Sequence, residues 1–371
     1  MALIHQPVRA SAVTTNALHG QVFSTAYVPK GYWCLKWGQR SVLIHQRPVV
    51  VNLCLILLLL GVMTLALGLG SMALSPVEVW RALLGEGSAL QQLVVRELRL
   101  MRVLAAVATG AAFAVSGCLM QALARNRLAT PGIIGIDNAA TAFAVASVVN
   151  LSVSVAPPAM ALAGAMTATA LAFGLGGATG TRGYRFIIAG VAIGALSGAV
   201  TQLMLSEVSI DVANAAFPWT VGSLSARSPE ALAVLSLGLI PGVIIACRLA
   251  RALNLLQLSE SVSISLGIRV PQVRFVALLL SVMLTALAVA VAGPVGLVAL
   301  LGPEIARVLC RHRGIPVITS ACCGALLMLA ADLLGRLMLA PLEIPVGIVT
   351  AIAGSPYLLW MLLNPAYRTQ P

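Results

Sequence analysis

The side chains that could do chemistry in this chain are few, and most of them stand where long apolar runs are interrupted. The most informative interruption, residues 125–135 (RNRLATPGIIG), combines charge with turn-forming residues. Inside the apolar regions the strongest acidic candidate is Asp332, and Arg336 follows it at i+4, so these two side chains are predicted to form an ion pair. Clustered His or carboxylate residues and Ser/His or Cys/His arrangements are missing from the apolar runs, so the sequence argues against metal binding and catalysis.

The composition indicates that lipid is the solvent for most of the chain. Hydrophobic residues make up 60% of the sequence and charged residues only 9%, whereas a soluble domain carries about 25% charged residues. The apolar runs are continuous rather than alternating, which indicates helices and not the strands of a membrane barrel. The sequence therefore predicts an all-α integral membrane protein, a polytopic bundle of about ten transmembrane helices. The predicted spans are 49–70, 103–124, 133–151, 157–178, 185–206, 229–248, 274–292, 294–310, 316–338 and 345–363.

The distribution of positive charge predicts the orientation of these helices, because Lys and Arg favour the cytoplasmic side of a membrane. Most of the 23 Lys and Arg residues fall on the side of residue 1. The outer side holds Arg81, Arg96, Arg99, Arg102, Arg227 and Arg336. Both termini are thus predicted to be cytoplasmic, with residues 1–47 as a disordered or surface-lying tail, 48–364 as the transmembrane domain and 365–371 as a second tail. The net charge of +12 fits an anionic inner leaflet and does not indicate nucleic-acid binding.

Small residues recur at helical spacing within the fifth predicted span. Gly190, Gly194 and Gly198 form a small-xxx-small face, which lets two backbones approach closely in a membrane. The same face could instead line a pathway for a solute. The two interpretations are compatible, and the pattern alone favours close packing.

The near absence of buried carboxylates and histidines suggests that energy for any transport comes from a partner, because an ion-coupled carrier needs such groups near the midplane. A cytoplasmic segment between the sixth and seventh spans, residues 253–270, is less apolar than the spans. Gly267 could end one short helix there before the next begins. A helix–turn–helix of this kind could be the docking site of a soluble partner protein that supplies energy, or it could simply connect the two spans.

Several separated segments resemble the motifs of one membrane-protein family. These segments are 98–102 (LRLMR), 121–135 (QALARNRLATPGIIG), 258–267 (LSESVSISLG), 293–307 (GPVGLVALLGPEIAR), 331–336 (ADLLGR) and 343–350 (EIPVGIVT). The first four are similar to the family patterns L-R-L-P-R, Q-x-x-x-R-N-P-L-A-x-P-x-x-L-G, L-G-E-x-A-x-x-L-G and G-P-I-x-F-V-G-L-x-x-P-H-x-x-R, and the remaining two match its last helices. Over about residues 50–364 the chain resembles the permease subunits of binding-protein-dependent ABC importers for ferric siderophores, haem and cobalamin, the FecCD-type (type II) permeases.

The resemblance implies a ten-helix subunit in the bacterial inner membrane that pairs with an identical or homologous second permease subunit. Two copies of a cytoplasmic ATPase subunit would drive it, and a periplasmic binding protein would deliver the cargo. It also assigns residues to three contacts. These are Arg99, Arg102 and Arg336 for docking of the binding protein, Glu260, Ser263, Leu266 and Gly267 for coupling to the ATPase, and Arg125, Asn126, Pro131 and Gly135 for a loop near the cytoplasmic gate.

Simpler roles are also open to several of these charged residues. Arg99 and Arg102 could contact lipid headgroups or pair with Glu97, and Arg336 could be occupied by Asp332. Glu260 could be a solvated loop carboxylate.

The chain also departs from the family patterns. Met101 and Arg127 stand where the patterns have proline, and Glu304 stands where they have histidine. Ser263 and Ile264 replace an alanine and an often basic residue. These changes leave the inner gate and the ATPase contact less defined, and they allow the chain to be one half of an unequal pair.

The function implied is therefore a transport permease that performs no chemistry, needs no cofactor or resident metal, and moves its cargo by alternating access. A ferric siderophore or related iron chelate is the expected cargo from the breadth of the family, with haem or cobalamin as alternatives within it. The competing hypothesis is an ATPase-independent, ion-coupled secondary transporter. A membrane enzyme is the least favoured class.

Overall fold

The structure is a computed structural model that describes residues 32–37, 40–70, 72–149, 155–176, 184–225, 228–311, 314–339 and 342–363. Residues 1–46 and 47–371 form two compact units, which we describe separately. In the first unit, Tyr32–Trp37 (β1) and Arg40–His45 (β2) pair antiparallel, with Tyr32 opposite His45. A tail was predicted over residues 1–47 and this hairpin was not, although its strands are rich in aromatic and β-branched residues, which favour strands. The rest of that tail before residue 46, the tail 365–371 and Arg227 lie outside the described residues.

The second unit is helical. Its helices are α1 Gln46–Gly68, α2 Pro76–Leu84, α3 Ala89–Gln92, α4 Leu100–Ala124, α5 Ile136–Val148, α6 Pro157–Gly176, α7 Tyr184–Ser206, α8 Ile210–Val221, α9 Pro229–Leu256, α10 Glu260–Ser265, α11 Val270–Ala292, α12 Gly296–Cys310, α13 Val317–Leu337 and α14 Val346–Leu363. A π-helical turn, Leu93–Arg99, joins α3 to α4, and a 3-10 turn, Pro131–Ile134, precedes α5.

The predicted membrane bundle is confirmed, since each predicted span coincides with one helix. Seven helical segments among the described residues are long and apolar enough to cross a membrane, and α5 and α14 are shorter apolar helices. Helix α12 has 15 residues. Glycines in backbone conformations that non-glycine residues rarely adopt stand at several helix boundaries, among them Gly135 before α5 and Gly293 after α11.

Helix α4 is the centre of the bundle and packs against α11, α12 and α13. Its middle carries small residues that let neighbouring backbones come close, and a side chain on Gly117 would collide with the carbonyl of Ala299. Two buried hydroxyls of α11 fasten it to α4, because Ser281 donates to the carbonyl of Ser116 at 2.8 Å and Thr285 to the Ser116 hydroxyl at 2.9 Å. Small-residue packing in the second predicted span thus operates within the core.

Loops at one end of the bundle are tied together by backbone hydrogen bonds. The amide of Ser223 donates to Ala292 at 2.8 Å and the amide of Gly347 donates to Gly222 at 3.1 Å, which joins the ends of α8 and α11 to the start of α14. Following the orientation predicted from the positive charges, we call this end, which also holds the start of α4 and the end of α13, the outer end. The opposite end, which holds α10, is the inner end.

Candidate functional site

A charge network occupies the outer end, at the start of α4 and the end of α13. The guanidinium of Arg102 meets the carboxylate of Asp332 with a 2.9 Å ion pair and a 3.0 Å hydrogen bond. Arg336 approaches the second oxygen of Asp332 at 3.3 Å, so the ion pair predicted from their i+4 spacing is present. The side chain of Asp332 is only 1% exposed. A buried carboxylate therefore holds two guanidinium groups in place, as a buried charge requires.

Glu343 completes the network from the loop before α14. Its Oε2 atom accepts hydrogen bonds from Arg102 at 2.7 Å and from the hydroxyl of Ser225 at 2.9 Å. Partial burial would raise the pKa of Glu343, but the hydrogen bond and charge of Arg102, with the Ser225 hydroxyl, leave that pKa below its ordinary value. Glu343 is thus held ionised at neutral pH. It begins the family-like segment 343–350, but no role was predicted for it from the sequence.

Arg99 forms no ion pair with this network, although it is near enough to Arg336 for the two positive charges to interact. Its guanidinium donates to the carbonyls of Leu67 at 2.7 Å, Gly68 at 3.1 Å and Met72 at 2.7 Å, and the residue is 7% exposed. These carbonyls lie at and just after the end of α1, where a helix leaves carbonyl groups without intrahelical partners. Arg99 therefore caps α1 and presents little of its charge at the surface. Neither Glu97 nor another carboxylate provides a partner for it among the described residues.

The predicted gate loop forms a turn at the inner end of the bundle. Arg125 ends α4 with φ of 50° and donates a hydrogen bond to the carbonyl of Leu256 at the end of α9. The side-chain oxygen of Asn126 accepts from the amide of Leu128 at 2.9 Å, which makes a local turn. Pro131 opens the 3-10 turn that follows. Asn126 and Pro131 thus shape the loop.

The loop rests on the glycine face of α7. A β-carbon on Gly135 would lie 2.6 Å from the carbonyl oxygen of Gly190 and 2.7 Å from the amide of Gly194. Asn138 reinforces the contact, because its side-chain amide donates to the carbonyl of Gly194 at 3.0 Å. Gly198 does not share the close approach, since its nearest neighbour is the Asn138 amide at 3.9 Å. The structure thus brings two separately predicted groups together.

Gly135→Ala is expected to lower the midpoint of thermal unfolding in detergent. The new methyl group would meet the α7 backbone, and the φ of 76° at this position adds strain of about 1–2 kcal/mol for a residue with a β-carbon. Gly61→Ala in α1 is the matched control, because nothing lies within 4 Å of the added group. Equal unfolding midpoints for the two variants would contradict the packing role.

Two residues that depart from the family patterns, Arg127 and Glu304, contact each other. Glu304 is buried and pairs with Arg307 at 2.6 Å and with Arg127 at 3.6 Å. Arg307 also donates to the side-chain oxygen of Gln121 at 2.7 Å. The carboxylate in α12 and the extra arginine in the loop therefore compensate each other. Sequence alone did not predict this pair, although two unusual charges of opposite sign at the inner side were a usable signal.

The predicted coupling residues form a short helix at the inner end. Ser259 caps α10 by accepting from the amide of Val262 at 3.2 Å, and the buried Ser263 donates to the carbonyl of Leu255 at 3.0 Å, which anchors α10 to α9. Glu260 forms an ion pair with Arg274 at 3.4 Å, so it is more than a solvated loop carboxylate.

The remaining surface of this segment is apolar and exposed. Leu266 is 59% exposed, and Leu258, Val262 and Ile264 are exposed beside it. Gly267 turns the chain after α10 with φ of 82°, and nothing lies within 4 Å of the position its β-carbon would take. A helix held from behind by Ser263 thus presents large apolar side chains, which is the usual sign of an interaction surface.

Within the part of the chain that the structure describes, no three His, Cys, Asp or Glu side chains are grouped so that they could hold a metal ion. The described site residues form a charge network at the outer end. At the inner end they present exposed apolar side chains.

Known proteins share this architecture. The Fe(3+)-citrate import system permease of Bacillus subtilis (strain 168) is 33% identical over 86% of this chain and 96% of its own length. The Fe(3+) dicitrate transport permease of Escherichia coli (strain K12) is 38% identical over 79% and 92%, and the hemin transport permease of Yersinia pestis is 37% identical over 86% and 96%. A solved inward-facing structure of a metal-chelate type ABC transporter matches 85% of this chain and 99% of its own with a TM-score of 0.73 and 25% identity. The model of the FecCD transport family matches residues 56–364, and this chain belongs to that family.

Proposed function

We propose that this chain is the inner-membrane permease subunit of an ABC importer that translocates a ferric siderophore or a related iron chelate. The observation that carries the proposal is the cargo named for its relatives, which include permeases for ferric citrate, siderophores and hemin. These cargoes differ in chemical type but share an iron centre.

The energy enters through a partner at the inner end. The exposed apolar side chains of the α10 segment fit a cleft in a cytoplasmic ATPase, of which two copies would serve two permease subunits. The permease hydrolyses nothing itself. ATP-driven closure of the ATPase pair would push α10, and through Ser263 and the Glu260–Arg274 ion pair the movement would reach α9 and α11.

Cargo reaches the outer end on a periplasmic binding protein with acidic docking residues. We expect Arg102 and Arg336 to make this contact once their internal ion pairs rearrange, while Arg99 contributes by fixing the end of α1. A second permease subunit, identical or homologous, would complete the pathway. Exposed side chains on α7 and α14, among them Val191 and Ile352, leave apolar faces for that subunit or for lipid.

One observation keeps the secondary-transporter alternative worth testing. The Oδ1 atom of Asp137, at the start of α5, is buried and lacks a hydrogen-bond partner within the described residues. This carboxylate follows the loop 125–135 in the sequence and was not among the residues predicted for a site. A lone carboxylate inside a membrane protein is a candidate ion site.

Transport measurements separate the two mechanisms. Cells that lack the chromosomal copy of this permease are expected to regain uptake of an iron-55-labelled chelate when the gene is restored, with ferric citrate, ferric hydroxamates and haem as the panel. Uptake is expected to disappear when the ATPase subunit is made catalytically inactive, because that subunit supplies the energy. Accumulation by the permease alone in proteoliposomes, without nucleotide, would support the ion-coupled carrier and refute the proposal.

A further inference from the structure

Arg102 divides its hydrogen bonds between two carboxylates that differ in their freedom to leave. The Nε and Nη2 atoms of Arg102 contact Asp332, whose side chain is 1% exposed. The Nη1 atom contacts Glu343, whose side chain is 45% exposed. Asp332 sits in α13 between two arginines and has no route to solvent. Glu343 sits in the short loop before α14 and faces the surface.

The charges of the four residues Arg102, Arg336, Asp332 and Glu343 cancel, and Arg99, which is near Arg336, adds one further positive charge. Two guanidinium groups, of Arg102 and Arg336, face two carboxylates, of Asp332 and Glu343. An acidic partner that approached this surface would find the guanidinium of Arg102 already occupied by two carboxylates. It would gain a full charge-assisted pair only if one internal carboxylate moved away, and Glu343 is the one that can.

We propose that Glu343 is an internal substitute for a carboxylate of the acidic partner that docks at the outer end, and that docking displaces it from Arg102. The inference rests on the proposed function, in which that partner is the periplasmic binding protein. It assigns an autoinhibitory role to a residue of the permease itself. Arg102 is then the shared ligand for which the internal and the external carboxylate compete.

The displacement has a structural consequence. Glu343 also binds the Ser225 hydroxyl, and the neighbouring amide of Ile344 donates to the carbonyl of Gly335 at 3.0 Å. Release of Glu343 unties the side-chain link between the loop before α14 and the loop after α8. The same event that seats the partner therefore removes the side-chain link between these two loops, and the backbone hydrogen bond from Gly347 to Gly222 remains.

The test compares docking of the purified binding protein of this transporter to the complete permease–ATPase complex in nanodiscs. Glu343→Gln removes the charge and keeps the shape, so Arg102 keeps Asp332 but the network gains one uncompensated positive charge. The dissociation constant is expected to fall about three- to fivefold at low ionic strength, the range for a partly exposed ion pair. The gain is expected to shrink with added salt, because salt screens exposed charges.

Two further variants sharpen the measurement. Glu97→Gln makes the same charge change on an exposed outer residue away from the network and is expected to change the dissociation constant less than about twofold, the scale of a weak screened contact. Ser225→Ala loosens Glu343 without altering charge and is expected to tighten docking slightly. Equal effects of Glu343→Gln and Glu97→Gln, or weaker docking by Glu343→Gln and Ser225→Ala, would overturn the inference while leaving the proposed function intact. A wild-type complex that binds no binding protein would overturn both.

Discussion

Asp332→Ala is expected to destabilise the folded bundle by about 3–5 kcal/mol, the cost of removing one partner from a buried ion pair. The substitution leaves Arg336 without its carboxylate, while Arg102 keeps Glu343. Both guanidinium groups lie at the outer end of the core, near the start of α4, where solvation by water is restricted. The effect should appear as a large fall in the thermal unfolding midpoint in detergent and in the yield of monodisperse protein.

Two comparisons separate the buried charge from a general loss of acidic residues. Asp211→Ala removes an exposed carboxylate in the first turn of α8 and is expected to cost less than about 1 kcal/mol, as for a charge at a helix terminus. The double variant Asp332→Leu, Arg336→Leu should recover part of the lost stability, because well-packed apolar residues often replace a buried ion pair without loss. Similar unfolding midpoints for Asp332→Ala and Asp211→Ala would show that the network contributes little.

Local sequence pattern predicts much of this fold. Continuous apolar runs located every span, and i+4 spacing located the pair of Asp332 and Arg336. The same reasoning could not reach the contact between Arg102 and Asp332, since these residues are 230 positions apart and periodicity reports only neighbours along one helix. Arg99 became a docking candidate through the resemblance to the family, and its predicted position on the outer side agreed with that role. The sequence could not show that the carbonyls at and after the end of α1 bind its guanidinium.

Packing at the inner end could not be predicted for a similar reason. The glycine face of α7 was visible in the sequence, but the partner that packs on it, the turn that ends in Gly135, was not. Close approach needs two surfaces, and spacing describes one at a time. The pairing of Arg127 with Glu304 could have been suspected from charge, yet only the fold shows that α12 reaches the loop.

Gly267→Pro is expected to abolish chelate uptake while leaving the amount of inserted permease unchanged. Gly267 holds φ of 82°, whereas proline fixes φ near about −65°, so the turn after α10 cannot form in its present shape. Proline also removes the amide that donates to Ile264 at 2.9 Å. Because nothing lies within 4 Å of this position, the loss would come from the direction of the turn and not from packing.

Substitutions at the same residue supply the control for this experiment. Gly267→Asn is expected to retain most uptake, since asparagine tolerates positive φ, and Gly267→Ala should fall between, with about 1–2 kcal/mol of local strain. Copurification of the ATPase subunit, measured beside uptake, should follow the same order if the α10 segment is the docking element. Normal uptake by Gly267→Pro, or loss of uptake with full retention of the ATPase in all three variants, would remove this segment from the contact and leave the exposed side chains of Leu258, Val262, Ile264 and Leu266 without an assigned partner.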